Sequence, residues 1–294
     1  MKPAPFEYYA PETIEEALFL LHNYGGEAKL LAGGQSLVPA MNFRVVQPSV
    51  LIDLNRITEL DNIREDNECV RIGAMTRERT LEFDPRIPQH YPLLAEAMPH
   101  IAHPQIRNRG TLGGSLANAD PAAELPVTML ALGARMKLRN AGAERWVDAQ
   151  DFFLGMFTTA IGAEEMLVEI ELPWLPAGTG WSFLEVAPRA GDYALLGIAA
   201  LVTLDEAGRC KNAKLVYLNA GDGPVDAKEA AQGLSGQILN DGLIDAAGSL
   251  ASEKEVNPFG NIHASPDYQR HLANVLTKKA LKLAVQRARE ARSA

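Results

Sequence analysis

The sequence is poor in cysteine and contains no long apolar run. Its two cysteines, Cys69 and Cys210, lie far apart among 294 residues and do not form a Cys-x-x-Cys pair. This usage argues against an iron–sulfur cluster or a cysteine-based zinc site in the chain, and it is typical of a reducing cytoplasm. No segment approaches the roughly eighteen apolar residues of a membrane span, and the first residues lack the apolar segment of a signal peptide. The sequence therefore predicts a cytoplasmic protein without a membrane span.

Positive charge is also scarce. The 28 lysines and arginines are outnumbered by 37 acidic residues, which gives a formal net charge of -9, and they form no basic stripe. Because phosphate neutralisation requires concentrated positive charge, nucleic-acid binding is not expected. The remaining composition, with 47% apolar and 22% charged residues, is ordinary for a globular protein. A chain of this length can form two domains with large buried cores.

Several common catalytic and nucleotide-binding motifs are absent. No Gly-x-Gly-x-x-Gly follows a predicted strand and no Gly-x-x-x-x-Gly-Lys-Ser/Thr occurs, which excludes a Rossmann dinucleotide fold and a P-loop. His-Glu-x-x-His is missing too, and His100 and His103 are interpreted as loop hydrogen-bonding residues rather than metal ligands. GGSLA at 113–117 is similar to the nucleophile elbow of serine hydrolases, with Ser115 as nucleophile, but Ala117 replaces the last glycine. Serine hydrolysis is therefore a disfavoured alternative.

Helices and strands are predicted to alternate along the chain. Thr13 and Glu16 have the spacing of a capping box, which predicts that a helix begins there. Pro126 should lie in the first turn of a later helix or kink it. Segment 174–180 has the proline and glycine content of a linker, which places a domain boundary near it. The predicted strands are 28–32, 49–54, 70–76, 134–139, 166–173 and an antiparallel pair at 192–204 and 213–221. Besides the helix that begins near Thr13, helices are predicted at 92–102, at 122–133 and near the C-terminus, where Pro266 lies in the first turn.

Two loops contain paired glycines followed by small polar residues. LLAGGQSL occupies 30–37, and TLGGSLANADP occupies 111–121, about eighty residues later. Because glycine has no Cβ, the backbone at such a pair can approach a pyrophosphate and point N–H groups at it. A plain turn is the alternative for each pair. Two pairs, each after an extended segment, favour the hypothesis that both loops bind one phosphate-bearing ligand.

Around these loops the sequence resembles a known protein family. KLLAGGQSLVPAMNFR (29–44) and IAHPQIRNRGTLGGSLANADPAAELP (101–126) are similar to the two FAD signatures of the medium subunit of molybdenum hydroxylases. That family includes the carbon monoxide dehydrogenase flavoprotein, and its members resemble the flavin domain of xanthine dehydrogenase. Segments 164–173, 188–200 and 261–281 extend the resemblance over essentially the whole chain.

The resemblance implies an α+β fold with two domains. Residues 1–176 would form an FAD-binding domain of the vanillyl-alcohol-oxidase/PCMH type, with subdomains at about 1–57 and 58–176. Residues 177–294 would form an α+β C-terminal domain of the carbon monoxide dehydrogenase flavoprotein type, built from an antiparallel sheet and helices. Neither glycine loop contains His or Cys, so the FAD is expected to be bound noncovalently.

The resemblance also implies roles for residues around the loops. Backbone amides of residues 32–36 would bind the FAD diphosphate, and residues 111–115 would close on it from the other side. Asn118 and Asp120 would lie beside the flavin, and Tyr193 would lie near the isoalloxazine ring. The full set of expected cofactor-binding residues is Lys29, Leu30, Leu31, Ala32, Gly33, Gly34, Gln35, Ser36, Leu37, Ile101, Ala102, Gly110, Thr111, Gly113, Gly114, Ser115, Ala117, Asn118, Asp120, Glu124, Leu167 and Tyr193.

Several of these residues correspond to particular positions of the family pattern. Glu124 matches the acidic position that holds the adenosine ribose in the family, and Leu167 matches an apolar cofactor contact. Ile101 and Ala102 would lie against the flavin or the adenine half. Glu185 departs from the family pattern, because many relatives have Lys there. A missing cation near the flavin would alter the stability of its anionic reduced form, so the oxidant used by relatives does not carry over.

The function implied by the resemblance is electron transfer. In this family a large molybdopterin subunit hydroxylates the substrate, and electrons pass through two [2Fe–2S] clusters of a small subunit to the FAD, which reduces an external acceptor. The resemblance implies a dimer of heterotrimers, a heterohexamer, and no catalytic residue or metal ligand is expected in this chain. A stand-alone FAD-dependent oxidoreductase of the same fold is the main alternative, and a cofactor-free interaction module is another. The substrate and the acceptor stay open.

Overall fold

The computed structural model describes residues 1–293, which form a mixed structure of helices and strands, as predicted. The strands are β1 Glu7–Tyr9, β2 Ala28–Leu31, β3 Val50–Asp53, β4 Ile63–Glu65, β5 Cys69–Gly73, β6 Arg135–Arg139, β7 Glu144–Asp148, β8 Phe153–Gly155, β9 Thr158–Thr159, β10 Met166–Pro173, β11 Thr179–Val186, β12 Leu196–Leu204, β13 Cys210–Leu218 and β14 Val225–Asp226. The helices are α1 Ile14–Tyr24, α2 Leu37–Asn42, α3 Glu78–Phe83, α4 Arg86–His90, α5 Pro92–Ala97, α6 Pro104–Arg107, α7 Leu112–Asn118, α8 Glu124–Leu132, α9 Ala149–Phe152, α10 Lys228–Gln232, α11 Asp241–Leu250 and α12 Pro266–Ser293. None of the helices within residues 1–293 combines the length and the apolar character that a membrane crossing requires.

The first sheet is small and parallel, with strand order β1-β3-β2. Glu7 of β1 pairs with Val50 of β3, and β2 pairs with the other edge of β3. Helix α1 packs on these strands in one shared apolar core. At its start the Thr13 hydroxyl accepts a hydrogen bond from the N–H of Glu16, which confirms the predicted cap. Because β2 lies at the edge of this sheet, the loop that follows it can contact the next sheet.

The second sheet has five antiparallel strands in the order β4-β5-β10-β6-β7. Ile170 of the central strand β10 pairs with Ile72 on one side and with Met136 on the other. Helices α7 and α8 pack against β10, and every residue of α8 is buried. Pro126 is the third residue of α8, where a missing N–H costs no helical hydrogen bond. The prediction of a proline in the first turn is therefore confirmed.

The third sheet is antiparallel, with strand order β11-β12-β13-β14, and the long helix α12 packs across β11 and β12. Gly180 of β11 permits this packing, because a Cβ there would lie 2.0 Å from the carbonyl oxygen of Ala284 in α12. Every residue of β12 is buried. Ile198 belongs to the core shared with α12, whereas the next residue, Ala199, belongs to the core shared with α8. The third sheet is thus covered on both faces.

One predicted strand is shorter in the structure than expected. Segment 70–76 was expected to be extended throughout, but β5 ends at Gly73. The N–H of Ala74 donates to the carbonyl oxygen of Val168, and the carbonyl oxygen of Ala74 accepts from the N–H of Gly113. The strand ends because the chain turns here, with the N–H of Thr76 bonded to the carbonyl oxygen of Gly73, and the carbonyl oxygen of Ala74 holds the second glycine-rich segment.

Candidate cofactor site

The two glycine-rich segments predicted to share a ligand are in direct contact. We call residues 32–37 the first glycine loop and residues 110–115 the second glycine loop. The first follows β2, whereas the second, expected to be a loop, contains the first turn of α7. A Cβ on Gly33 would lie 2.4 Å from the carbonyl oxygen of Arg109 and 2.8 Å from the Cα of Gly110. No side chain fits in that space, so glycine at position 33 allows the loops to touch.

The first glycine loop presents unpaired backbone donors. Gly34 has a φ of 76°, a left-handed conformation that favours glycine. Within residues 1–293, the N–H groups of Gly33, Gly34, Gln35 and Ser36 have no hydrogen-bond acceptor, and the Ser36 hydroxyl has no partner. Consecutive free N–H groups in such a turn form a concave site for an anion. The loop therefore fits a phosphate or a diphosphate group.

The second glycine loop uses its N–H groups within the protein. Thr111 is the N-cap of α7, and its hydroxyl oxygen accepts a hydrogen bond of 3.1 Å from the N–H of Gly114. The N–H of Gly113 donates to the carbonyl oxygen of Ala74 at 2.8 Å, and the N–H of Ser115 donates to that of Thr111 at 3.1 Å. Thr111 and Gly113 are buried, whereas Gly114 and Ser115 are partly exposed. What this loop offers a ligand is the surface of Gly114 and the hydroxyl of Ser115.

A bend at Ile101 and Ala102 lies close to the segment that carries Tyr193. Ala102 has a φ of 42°, which is uncommon for a residue with a Cβ. The buried guanidinium of Arg107 holds the bend by donating to the carbonyl oxygens of Ile101 at 2.7 Å and Ala102 at 3.2 Å. A Cβ on Gly191 would lie 2.9 Å from the carbonyl oxygen of Ala102. Backbone strain of this kind is concentrated at functional sites.

Tyr193 presents an exposed aromatic ring beside acidic residues. The residue is 73% exposed. Partial burial of its hydroxyl, together with the negative charges of Asp120 and Glu124, raises the pKa of Tyr193. Asp120 follows Ala119, which has a φ of 48° and accepts a hydrogen bond from the N–H of Phe157. An accessible ring next to polar groups suits a flat aromatic ligand with a polar edge.

Three carboxyl groups are buried behind the second glycine loop. Burial raises the pKa of Glu78 to about 7, and burial together with the charge of Glu185 raises the pKa of Glu124 to about 8. A Cβ on Gly110 would lie 2.3 Å from the Glu78 carboxylate. Glu185 lies 3.2 Å from the Nδ1 of His100, and this hydrogen bond raises the pKa of His100. Glu185, where the resemblance led us to expect Lys, thus has a protonatable partner of its own.

The structure places the expected site residues at two depths. The first group is partly or fully exposed and consists of Lys29, Leu30, Leu31, Ala32, Gly34, Gln35, Ser36, Leu37, Ala102, Gly114, Ser115, Ala117, Asn118, Asp120 and Tyr193. The second group is buried and consists of Gly33, Ile101, Gly110, Thr111, Gly113, Glu124 and Leu167. Residues of the first group can touch a ligand in this conformation. Those of the second group shape the loops behind it, except that Gly33 also contributes an unpaired backbone N–H to the first glycine loop.

Two residues to which no sequence motif points also contact the loops. Asn55 donates a hydrogen bond of 2.9 Å to the carbonyl oxygen of Ala32, and Arg77 donates to that of Arg109. Neither belongs to a glycine-rich motif. Their only sequence signal is that each directly follows a predicted strand, at 49–54 and 70–76.

Two protein-family profiles together match almost the whole chain. The family described as FAD binding domain in molybdopterin dehydrogenase matches residues 4–175, and the CO dehydrogenase flavoprotein C-terminal domain matches residues 181–284. The chain is 42% identical over 289 residues to the 6-hydroxypseudooxynicotine dehydrogenase complex subunit alpha of Paenarthrobacter nicotinovorans, covering 98% of this chain and 97% of that protein. It is 37% identical to the carbon monoxide dehydrogenase medium chain of Hydrogenophaga pseudoflava, covering 97% and 98%.

Solved structures have the same fold over the same length. Carbon monoxide dehydrogenase from Hydrogenophaga pseudoflava, in a form that lacks the Mo-pyranopterin moiety of the molybdenum cofactor, matches with a TM-score of 0.94 and 39% identity, over 98% of this chain and 99% of that chain. Quinoline 2-oxidoreductase from Pseudomonas putida 86 matches with a TM-score of 0.92 and 38% identity, again over 98% and 99%.

Proposed function

This chain belongs to the family of FAD-binding subunits of molybdopterin dehydrogenases, and we propose on that premise that it is the electron-transfer flavoprotein subunit of a molybdenum-containing hydroxylase. Electrons would reach it from the [2Fe–2S] clusters of a small subunit and leave to an external acceptor. The observation that carries the proposal is the contact between the two glycine loops, one of which has four unpaired N–H groups. Bound FAD supplies the redox chemistry, and the chain supplies binding, orientation and electrostatics.

In this proposal the glycine loops bind the diphosphate of FAD. The N–H groups of residues 33–36 donate to phosphate oxygens, and the Ser36 hydroxyl adds a further donor. Ser115 supplies its hydroxyl from the second glycine loop. Thr111 and Gly113 act indirectly, because their hydrogen bonds to Gly114 and Ala74 hold that loop in place. The expected roles of Thr111 and Gly113 as direct contacts stay predictions.

The flavin ring is proposed to lie between the Ile101–Ala102 bend and Tyr193. The exposed ring of Tyr193 would cover one face of the isoalloxazine, with Asn118 and Asp120 at its polar edge. Glu124 is buried in this conformation. Its expected contact with the ribose therefore requires a local opening when the cofactor binds. The expected contact of the buried Leu167 requires a similar opening.

The partners are proposed to be a small [2Fe–2S] subunit and a large molybdopterin subunit, assembled as a dimer of heterotrimers. Among residues 1–293, no group of three His, Cys, Asp or Glu side chains is arranged to hold a metal ion. Burial raises the pKa of Cys69 to about 12 and that of Cys210 to about 11, which disfavours the thiolate forms that bind metals. Both observations support the placement of the clusters on partner chains.

The domain organisation inferred from the sequence is part of the proposal. Residues 1–57 and 58–176 would be the two halves of the FAD-binding domain, and residues 177–294 would be the C-terminal domain. Each of these ranges contains one of the three larger sheets, which supports the division. A cytoplasmic location is also proposed, because both cysteines are free thiols.

Flavin reduction by substrate tests the electron-transfer role. The chain would be co-expressed with the two partner subunits, and the complex would be mixed with carbon monoxide, purines, N-heterocycles or aldehydes. One of these classes should bleach the flavin absorbance of the complex, and the same compound should leave the FAD-loaded isolated chain unchanged. Bleaching of the isolated chain would contradict the proposal and support a stand-alone oxidoreductase.

A further inference from the structure

Asn55 and Arg77 form a hydrogen-bonded bridge between the two glycine loops. The side-chain nitrogen of Asn55 donates to the carbonyl oxygen of Ala32 at 2.9 Å, and its side-chain oxygen accepts a hydrogen bond from Nη2 of Arg77. Nη1 of Arg77 donates to the carbonyl oxygen of Arg109. Ala32 begins the first glycine loop, and Arg109 directly precedes the second. The Asn55–Arg77 bridge therefore connects the loops through two side chains.

Neighbouring groups fix the orientation of the Asn55 amide. The backbone N–H of Asn55 donates to Oδ1 of Asp53 at 2.9 Å, and its side-chain nitrogen donates to the same atom. The Tyr8 hydroxyl donates to the other carboxylate oxygen of Asp53. Burial acts to raise the pKa of Asp53, but the hydrogen bonds from Tyr8 and Asn55 outweigh it and lower that pKa, so the group accepts as a carboxylate at neutral pH. The Asn55 nitrogen thus faces two acceptors, and its oxygen faces Arg77.

The bridge acts where the loops touch. The carbonyl oxygen of Arg109, at one end of the bridge, is the atom that a Cβ on Gly33 would meet at 2.4 Å. Ala32, at the other end, directly precedes Gly33. Because both ends adjoin the contact, the bridge fixes the distance between the free N–H groups of the first glycine loop and the hydroxyl of Ser115.

Arginine is suited to this position by its shape as well as its charge. The guanidinium presents two NH₂ groups in one rigid plane, and at Arg77 each group has its own acceptor. A lysine would carry the same charge, but its single ammonium group cannot hold both acceptors in this geometry. Arg79 provides a matched control, because it is exposed, lies over the ring of Phe83 and pairs with Glu82 instead of a loop.

We propose that Asn55 and Arg77 are positioning residues for FAD, which act by fixing the separation of the two loops that bind its diphosphate. The inference rests on the proposed FAD site. Loss of either side chain disconnects the same two loops, so the effects of removing both should be no larger than the effect of removing one.

A double-mutant cycle on the full chain tests the bridge. FAD dissociation constants would be measured by flavin fluorescence for the wild type, Asn55→Ala, Arg77→Ala and the double variant. Each single substitution should weaken FAD binding roughly 10- to 100-fold, and the double variant should bind about as weakly as the weaker single one. Arg77→Lys should resemble Arg77→Ala, and Arg79→Ala should resemble the wild type. Additive losses, or wild-type affinity in Arg77→Lys, would overturn the proposal.

Two further measurements separate the bridge from folding and from the proposed site itself. The loss of affinity in Arg77→Ala should be the same at low and high salt, because attraction between a charge and the diphosphate is screened and a bridge is not. Asn55→Ala removes the donor to Ala32 without adding a charge beside Asp53, so it should weaken FAD binding while the chain melts near the wild-type temperature. A wild-type chain that binds no FAD would contradict the proposed function. Tight FAD binding by Asn55→Ala and Arg77→Ala would overturn only the bridge.

Discussion

Gly114 has little free space between the two glycine loops. A Cβ there would lie 2.7 Å from the Thr111 hydroxyl oxygen and 3.3 Å from the Cβ of Ala32. We expect Gly114→Val to push the first glycine loop away and to lower FAD occupancy at least about tenfold, since overpacking typically costs roughly 1–3 kcal/mol. Flavin absorbance per chain measures the effect.

Gly142 supplies the control for that substitution. It lies in an exposed loop, where the nearest atom to an added Cβ is 3.9 Å away, so Gly142→Val should keep full occupancy. The thermal unfolding of Gly114→Val should still show a folded C-terminal region. Full flavin content in Gly114→Val would mean that this loop does not contact the cofactor.

The pair of His100 and Glu185 predicts a stability contribution that depends on pH. Its hydrogen bond raises the pKa of His100, so the folded chain holds the proton more tightly than the unfolded chain does. The contribution is therefore fully present below about pH 6.5, the ordinary pKa of histidine, and is lost as the pH rises through the raised pKa. His100→Gln should lower the free energy of unfolding near pH 6 by about 1 kcal/mol or less, because His100 is partly exposed. Near pH 9 the loss should vanish.

Denaturant unfolding at the two pH values checks this prediction. The comparison is the difference between the wild type and His100→Gln at each pH, which cancels the other titrating groups to first order. An equal loss at both pH values would contradict an ionic contribution from the pair and would indicate lost packing against Phe183, whose ring lies beside that of His100.

Some residues of the candidate site could be predicted from the sequence, and others could not. Gly33 and Gly114 were predicted from their motifs, because close backbone approach leaves a local signature in glycine. The partner of Glu185 was not predicted, since His100 lies far away in the chain and is brought near by the packing of α5 against β11. Asn55 and Arg77 were missed for the same reason, because their bonds to the loops depend on how two sheets meet.

Among the elements, β12 was predicted well in character and less well in extent. Its apolar sequence indicated a strand that does not lie at the edge of a sheet, and in the structure both of its faces are covered. The predicted start at 192 was wrong, and β12 begins at Leu196. The side-chain nitrogen of Asn219 donates hydrogen bonds to the carbonyl oxygens of Ala194 and Leu195, and the side-chain nitrogen of Gln269 also donates to that of Leu195. Long-range side-chain bonds of this kind have no local sequence pattern.

The packing of α12 on β11 predicts a strong effect at Gly180. A Cβ would meet the backbone of α12 at 2.0 Å, at the carbonyl oxygen of Ala284, and at 2.4 Å, at the nitrogen of Ala288. Gly180→Ala should therefore lower the free energy of unfolding by about 3 kcal/mol, near the upper end of overpacking costs. Urea unfolding measures the loss. Gly223→Ala is the matched control, because no atom lies within 4 Å of an added Cβ there. Equal midpoints for the two variants would show that α12 can shift freely.

At the scale of the whole molecule, the proposed site draws on all three larger sheets. The first glycine loop follows the first sheet, the second is bonded to Ala74 at the end of β5, and Tyr193 precedes β12. The sequence predicted, from two motifs about eighty residues apart, that these loops serve one ligand. Their contact agrees with that hypothesis. The α+β class and the family followed from long motifs in the right order, whereas the depth of each site residue depends on packing between sheets.

The whole chain should bind FAD noncovalently, close to one per chain. Two loops arranged around one diphosphate make a single site, and neither loop contains a His or Cys that could attach the flavin. Acid precipitation should release the yellow colour into the supernatant, where chromatography identifies the flavin. Colour that stays on the pellet would contradict noncovalent binding. FMN in place of FAD would contradict a site built for a diphosphate.

The unpaired N–H groups of the first glycine loop should also make it a reporter in hydrogen–deuterium exchange. Residues 33–36 have no acceptor within the described chain, so without FAD a peptide that covers them should exchange at once. The N–H groups of Gly113 and Ser115 are already bonded and should be slow in both states. FAD should slow exchange only in the first loop. The ligand would then complete a hydrogen-bond network that the polypeptide, folded alone, leaves open to solvent.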